Sequence, residues 1–274
     1  MNQVCFPAGF HSGLGTTNLW SGRDLQKEEV FLAAVKEHDI HIIDTAEMYG
    51  RAEEGVSHIL KKAGRENIFL IDKILPDHCT ERNFEKSLLN SLRRLDSDYI
   101  DLYLLHWREN VDLAFLCHSM EAAKERGLIR EWGVSNFDMQ DLKDLYNHTG
   151  SVYANEIFYS VYERGIEFEL LPFMHQNHIL PISYSTLGSS YYPHPDINTK
   201  KRITSFCNKK GIPMEAALLE RIRAEGVLTL FSTSSLTHLQ NNLAEIPEEL
   251  KKELFALLDE EFPSPTYKYP LVKI

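Results

Sequence analysis

The sequence predicts an α/β protein, a (β/α)₈ TIM barrel built as a single domain over residues 1–274. Three observations carry that expectation. Eight short apolar runs recur along the chain, and most lack the polar/apolar alternation of a half-exposed strand. Each run is followed by a polar turn and then by apolar residues at helical spacing. The competing open, doubly wound sheet would carry a phosphate-binding glycine turn after its first strand, and no GxGxxG string is present.

The first unit is the weakest. Phe10 to Gly15 reads as a short strand with Gly13, Gly15 and Thr16 at its end, and Lys27 to His38 as the helix that follows. Ile40 to Ile43 is rich in β-branched residues and reads as the second strand, closed by Asp44. Val56, Ile59, Leu60 and Ala63 mark the next helix, which stops at Gly64. Ile68 to Lys73 is the third strand, and Thr80 is expected to cap the helix carrying Phe84, Leu88, Leu92 and Leu95. Tyr99 to His106 is the fourth and clearest strand, followed by a helix from Asn110 to Arg126. Ile129 to Val134 is the fifth strand, closed by Ser135-Asn136, with Leu142, Leu145 and Tyr146 on its helix. Val152 to Ile157 is the sixth strand, Glu167 to His178 a helix, and Ile179 to Tyr184 the seventh strand.

Ser185 to Asn198 is the longest irregular stretch, and a loop of that length in a compact domain points to function. Helices at Thr199 to Lys210 and after Pro213 lead to the eighth strand, Val227 to Phe231. Helical segments follow from Thr237, one of them at about 247–260, and the tail from Pro263 is expected to be extended.

The bulk composition narrows the function classes. Hydrophobic residues make up 43% and charged residues 25%, ordinary values for a soluble globular chain. Lysine and arginine number 29 against 40 aspartates and glutamates, a formal charge of −11. That balance argues against nucleic acid or an anionic membrane as partner. Cysteines at 5, 79, 117 and 207 show no paired spacing, which suits a reducing cytoplasm. There is no basic, apolar leader pattern, no run long enough to span a membrane and no metal-ligand spacing among the twelve histidines.

Four polar residues interrupt this apolar plan at strand ends. Asp44 ends the second strand, with Tyr49 just past it before Gly50; Lys73 ends the third and His106 the fourth. An aspartate capping a helix and a tyrosine packed on a rim would account for the first pair by themselves. In a barrel, however, the carboxyl ends of all strands share one rim. A lysine on that rim needs a counter-charge, and Asp44 on the neighbouring strand can supply it. A free phenol with a pKa of about 10 is a poor proton donor near neutrality, and an adjacent ammonium is expected to lower that value. An imidazole can orient a carbonyl oxygen. The set suits protonation of a carbonyl oxygen as hydride reaches its carbon, and since no side chain donates hydride a nicotinamide is implied.

With these residues in place, the chain resembles the aldo-keto reductase family over nearly its whole length. The matching strings are Gly13-Leu-Gly-Thr16, Asp44-Thr-Ala-Glu-Met-Tyr-Gly50, Lys73, Asp101-Leu-Tyr-Leu-Leu-His-Trp107, Gly133-Val-Ser-Asn-Phe137 and Tyr184-Ser-Thr-Leu-Gly188. The resemblance implies reduction of an aldehyde or ketone, sugar-like substrates included, with Tyr49 as general acid/base, Lys73 and Asp44 tuning it, and His106 orienting the carbonyl. It implies that Ser135 and Asn136 hold the nicotinamide carboxamide and that Tyr184 stacks on the ring. Leu187 and Gly188 would line the pyrophosphate path. Gly15, Thr16, Ser185, Thr233, Asn241 and Asn242 would also touch the cofactor. Trp20 and Trp107 would wall the substrate pocket, unless they are simply packed in the core.

Three departures stand out. Glu156 occupies the place where the family offers a glutamine, and an ionised carboxylate cannot donate to the carboxamide carbonyl. The segment after the eighth strand holds Ser232, Ser234 and His238 where a lysine or arginine would meet the 2′-phosphate, so NADP(H) is favoured by resemblance and NAD(H) is its rival. Thr186 replaces a usual proline and is expected to loosen the loop. The alternative to an enzyme is a non-catalytic nicotinamide-nucleotide-binding sensor or regulatory subunit on the same fold. His78-Cys79, Lys200-Lys201-Arg202 and His41 read as loop, solvated helix start and structural residue, respectively.

Overall fold

The computed structural model describes residues 11–189 and 197–273. Its strands are β1 (Ser12–Gly15), β2 (Ile42–Asp44), β3 (Phe69–Ile74), β4 (Ile100–Leu105), β5 (Ile129–Ser135), β6 (Ala154–Phe158), β7 (Leu180–Tyr184) and β8 (Leu228–Phe231). They close into a barrel in chain order, and β8 pairs with β1. All pairings are parallel, as strands joined by helical crossovers require.

The helices outside the barrel are α1 (Leu25–His38), α2 (Ala52–Ala63), α3 (Phe84–Leu95), α4 (Leu113–Glu125), α5 (Met139–Tyr146), α6 (Leu170–Gln176), α7 (Ile197–Lys210), α8 (Met214–Arg223), α9 (Leu236–Asn242) and α10 (Glu248–Glu261). Aspartates start three of them. Asp24, Asp112 and Asp138 accept backbone N–H bonds from the first turns of α1, α4 and α5, and Asp138 and Asp141 form a reciprocal capping box. Thr80 does not cap α3 as expected. It lies in the preceding turn, where its carbonyl accepts from Asn83 and Phe84, and Asn83 takes the N-cap without a side-chain bond. Phe10 of the expected first strand and residues 190–196 of the expected long loop lie outside the described residues.

Why the strands read as unalternated is visible in the packing. Successive residues point to opposite faces, but both faces are apolar. Ile42, Ile71, Leu102, Leu104, Ala154 and Ile182 fill the barrel interior. Ile43, Leu70, Tyr103, Leu105 and Val134 face the helices in a second, larger core. The same two-residue period decides where the polar strand ends point. Asp44, Lys73, His106 and Glu156 each sit two residues beyond an interior residue, namely Ile42, Ile71, Leu104 and Ala154. They form the next interior layer.

The tail after α10 carries no regular structure and is tied back to the barrel. The buried Arg164 guanidinium donates to Glu167, Asp259, the Phe262 carbonyl and Ser264. Tyr269 donates to Glu163, and Lys268 pairs with Glu169. Among the described residues, no helix is long and apolar enough to cross a membrane. Cys79, Cys117 and Cys207 are free and buried.

Gly133 sets how closely β5 approaches its neighbours. A Cβ there would lie 2.5 Å from the Ala154 carbonyl oxygen and 2.9 Å from a Leu104 methyl. Gly133→Ala should therefore cost about 1–3 kcal/mol from overpacking, read as a lower urea midpoint. An unchanged midpoint would show that the barrel wall gives there.

Candidate active site

Asp44, Lys73 and Glu156 come from β2, β3 and β6 and meet at the carboxyl end of the barrel. Lys73 is fully buried, and Asp44 and Glu156 are 3% and 2% exposed. The Lys73 ammonium donates to Asp44 Oδ2 in a short contact and to the Thr45 carbonyl at 3.1 Å, and lies 3.3 Å from Glu156 Oε1. Burial alone would drive a lysine towards neutrality, but the two carboxylates override it and raise its pKa above the ordinary value. Lys73 is an ammonium at any working pH.

Tyr49 is delivered by a tight turn after β2. Its N–H bonds to the Ala46 carbonyl, and Gly50 follows with φ +60°. A Cβ at Gly50 would lie 2.7 Å from the Trp20 carbonyl oxygen, so both the backbone angle and the space call for glycine. The Lys73 ammonium lies 5.4 Å from the Tyr49 ring centre, and the His106 ring meets Tyr49 edge-on with centres 5.8 Å apart. The expected lowering of the Tyr49 pKa is not what the surroundings produce. Burial raises it, Lys73 lowers it, and Asp44, Glu156 and Tyr184 raise it again, so the net shift is upward. The phenol holds its proton chiefly because it is buried, with the neighbouring acidic groups opposing the field of the lysine.

His106 is 8% exposed and anchored by its N–H to the Ile74 carbonyl. Burial, helped by the Lys73 charge, pulls its pKa down to about 3, so the imidazole is neutral and can donate one N–H. Ser135 and Asn136 stand beside it. Asn136 has φ +60°, donates to the His106 carbonyl and to Ser135 Oγ, both at 3.1 Å, and accepts from the Tyr184 hydroxyl at 2.7 Å. Ser135 donates to the Glu156 carbonyl at 2.9 Å.

These residues open on one cavity of ≈ 800 Å³, whose walls include Tyr49, His106, Trp107, Asn136, Glu156 and Tyr184. Ser185, with φ +50°, also reaches it. Trp107 lines the cavity, and its indole N–H donates to Glu109. Trp20 does not: it is 58% exposed and packs over Gly50. The groups expected at the far end of a cofactor lie around β1 and β8. Ser232 donates to the Gly15 carbonyl, Thr16 is buried with its N–H on the Asp44 carbonyl, and Thr233 donates to the Ser235 carbonyl. Ser234 and His238 are exposed, Leu187, Gly188 and Asn241 are half-buried, and Asn242 is buried at the end of α9 with little surface for a ligand. Thr186 tightens its loop where loosening was expected. It is fully buried, and its hydroxyl lies 2.8 Å from Ser183 Oγ and within 3.1 Å of the Ser183 and Leu230 carbonyls.

The other residues singled out in the sequence lie away from this chemistry. Burial pushes the Cys79 thiol up to about 12, which makes it a poor nucleophile. His41 bonds Asp39 and the Asn67 carbonyl, and Arg202 pairs with Glu260 and Glu261. Among the described residues no His, Cys, Asp and Glu grouping is arranged for a metal. Sequence reasoning gave no role to Glu47, Arg108 or Lys273. Glu47 accepts from the Leu75 N–H and the Ser87 hydroxyl, tying the Tyr49 turn to the loop after β3. Arg108 and Lys273 line the cavity and both face Asp141, at 3.9 and 3.7 Å. Lys273 had no signal at all, being the penultimate residue of a tail.

Comparison with known proteins places this geometry in context. The family model described as "Aldo/keto reductase family" matches residues 13–261. The chain is 31% identical over 266 residues to methylglyoxal reductase YeaE of Escherichia coli (strain K12), covering 94% of this chain and 93% of that one. An aldo/keto reductase of Klebsiella pneumoniae in complex with NADP and acetate superposes with a TM-score of 0.87 at 33% identity, covering 96% and 95% of the two chains. A second Klebsiella pneumoniae aldo-keto reductase, in complex with NADPH, superposes at 0.80 with 32% identity, covering 96% of this chain and 95% of that one.

Removing the lysine charge should be the costliest change at the site. Lys73→Met strands two buried carboxyl groups and is expected to cost about 3–5 kcal/mol, more than Asp44→Asn. The stranded acids have raised pKa values, so their neutral form is favoured on folding. The stability deficit should therefore be smallest in acid and grow as pH rises through and above the ordinary carboxyl range. Urea unfolding at about pH 5 and about pH 8 measures it; a pH-independent deficit would contradict the charge argument.

Proposed function

The chain belongs to the aldo/keto reductase family, and on that premise we propose that it reduces a small aldehyde or ketone to the alcohol with NADPH, Tyr49 donating the proton. The observation that carries this reading is that the Tyr49 phenol and the neutral His106 imidazole line one cavity, with the Lys73 ammonium and its Asp44 carboxylate buried behind the phenol. Small carbonyl compounds are the substrate class that YeaE, a methylglyoxal reductase, suggests. The two Klebsiella complexes make NADP(H) the favoured cofactor. NAD(H) remains the rival, because Ser232, Ser234 and His238 supply no permanently charged side chain for a 2′-phosphate.

The residues present fit a nicotinamide dinucleotide. Ser135, Asn136 and Glu156 would hold its carboxamide, Tyr184 would face the ring, and Gly15, Thr16, Ser185, Leu187 and the Ser232–His238 segment would contact the remainder. When bound, the cofactor supplies the hydride.

The chain's own groups handle the proton. His106, neutral, donates its N–H to the substrate oxygen and fixes its position. Tyr49 arrives with its proton in place, because its surroundings hold the phenol's pKa up. As the substrate oxygen gains negative charge, the proton passes from Tyr49 Oη to it. The Lys73 ammonium then stabilises the phenolate left behind, and Asp44 keeps that ammonium aimed.

The test is NADPH oxidation against a panel of carbonyls that includes methylglyoxal and open-chain sugars. Tyr49→Phe should lower turnover by about a thousandfold while leaving dinucleotide binding intact. A His106 pKa near 3 means that this residue stays neutral over ordinary working pH. The turnover profile at saturating cofactor should therefore show no histidine inflection between about pH 5 and about pH 7. Tight dinucleotide binding without turnover of any carbonyl would instead identify a non-catalytic binding subunit.

A further inference from the structure

The charges buried at the barrel mouth do not balance. One ammonium, Lys73, faces two carboxyl groups, Asp44 and Glu156, and none of the three is more than 3% exposed. Fully ionised, the trio would hold a net charge of −1 away from water, which is unfavourable. Both carboxyl groups contact the same ammonium, Asp44 through Oδ2 and Glu156 through Oε1 at 3.3 Å, and two carboxyl groups crowded on one cation can bond to each other only if one carries a proton. Consistent with this, Glu156 Oε2 is buried and receives no bond from any N–H or hydroxyl.

We propose that Asp44 and Glu156 hold one proton between them over the Lys73 ammonium, and that its loss makes the cavity select the oxidised, positively charged nicotinamide over the reduced, neutral one. This rests on the reading that the cavity binds a nicotinamide dinucleotide. Glu156 is then a positioning residue whose charge state reports on the cofactor's redox state. A glutamine at the same place could not do this, having no proton to lose.

The groups facing the pair leave it as the site that titrates. Lys73 from β3 is held as an ammonium, Tyr49 after β2 keeps its proton, and His106 after β4 is neutral. The Tyr184 ring closes the β7 side of the cavity. Burial, and then the Asp44 charge, push Glu156 up to about 8 against the pull of Lys73, and burial also raises Asp44. The two carboxyls titrate as a unit. As pH climbs past that value the pair loses its proton and the trio goes from neutral to −1. The oxidised nicotinamide ring carries a positive charge and gains from that change; the reduced ring is uncharged and does not. By reciprocity, binding the oxidised dinucleotide must expel the shared proton.

The experiment measures dissociation constants of NADP⁺ and NADPH by protein fluorescence, on the full chain, from about pH 6.5 to about pH 9.5. Wild type and Glu156→Gln are compared, and proton release on adding NADP⁺ is followed with an indicator dye in weak buffer. In wild type, the affinity ratio should move towards NADP⁺ by about tenfold for each unit by which the pair's pKa differs between the two complexes, with net proton release near neutrality. In Glu156→Gln, the ratio should be flat and the release small. A wild-type ratio that does not move, or a variant that tracks wild type, overturns the proposal. If the variant fails to fold, proton release in wild type decides alone. If both dinucleotides bind with a pH-independent ratio, only this inference fails; if neither binds, the functional reading falls and this one with it.

Discussion

A lysine buried to zero exposure inside a barrel is the constraint on which the rest of this site depends. Taking an ammonium out of water costs several kcal/mol unless partners replace its hydration. Lys73 has three: the Asp44 carboxylate, the Thr45 carbonyl and the Glu156 carboxyl. Two of those partners come from β2 and its exit and one from β6, so the strands must close for the lysine to be satisfied. Tyr49 keeps its proton chiefly because it is buried, and the acidic groups around Lys73 oppose the lysine's pull on it. The field of the lysine becomes useful when a phenolate forms.

The barrel aims these groups through nothing more than strand parity. Interior positions alternate with helix-facing ones, so a residue two places beyond the last interior aliphatic must also point inward. Ile42, Ile71, Leu104 and Ala154 thereby place Asp44, Lys73, His106 and Glu156 in the layer above them. Loop contacts then hold that layer together. Thr16 hooks β1 to the Asp44 carbonyl, Glu47 ties the Tyr49 turn to the loop after β3, and Asn136 spans from the His106 carbonyl to the Tyr184 hydroxyl. The tail adds one more wall, because Arg164 pins its start and Lys273 reaches the cavity.

Most of the architecture was legible because hydrophobic periodicity is local. Strands buried on both faces, amphipathic helices and their glycine stops at 64, 211 and 226 each follow from a few neighbouring residues. Asp44, Lys73 and His106 stood out because each ended an apolar run with a group that needs a partner, and Tyr49 because it follows Asp44 closely and precedes a glycine. Thr80 misled because a hydroxyl near a helix start is only a candidate cap until the turn geometry is known. Thr186 misled because a buried threonine can satisfy its hydroxyl on carbonyls from β7 and β8, which lie far apart in the chain. Trp20 misled because an aromatic residue near a site can equally pack over a glycine turn.

The sequence by itself determined the alternating strand and helix plan, the family resemblance and the four chemical types at the strand ends. These depend on residue identity and short spacing. Only the tertiary structure decided the charge balance. Whether Tyr49 is acidified or holds its proton, and whether Glu156 is a carboxylate or an acid, depends on how many charges share one dry space. That number is set by strands brought together in three dimensions, and no local pattern encodes it.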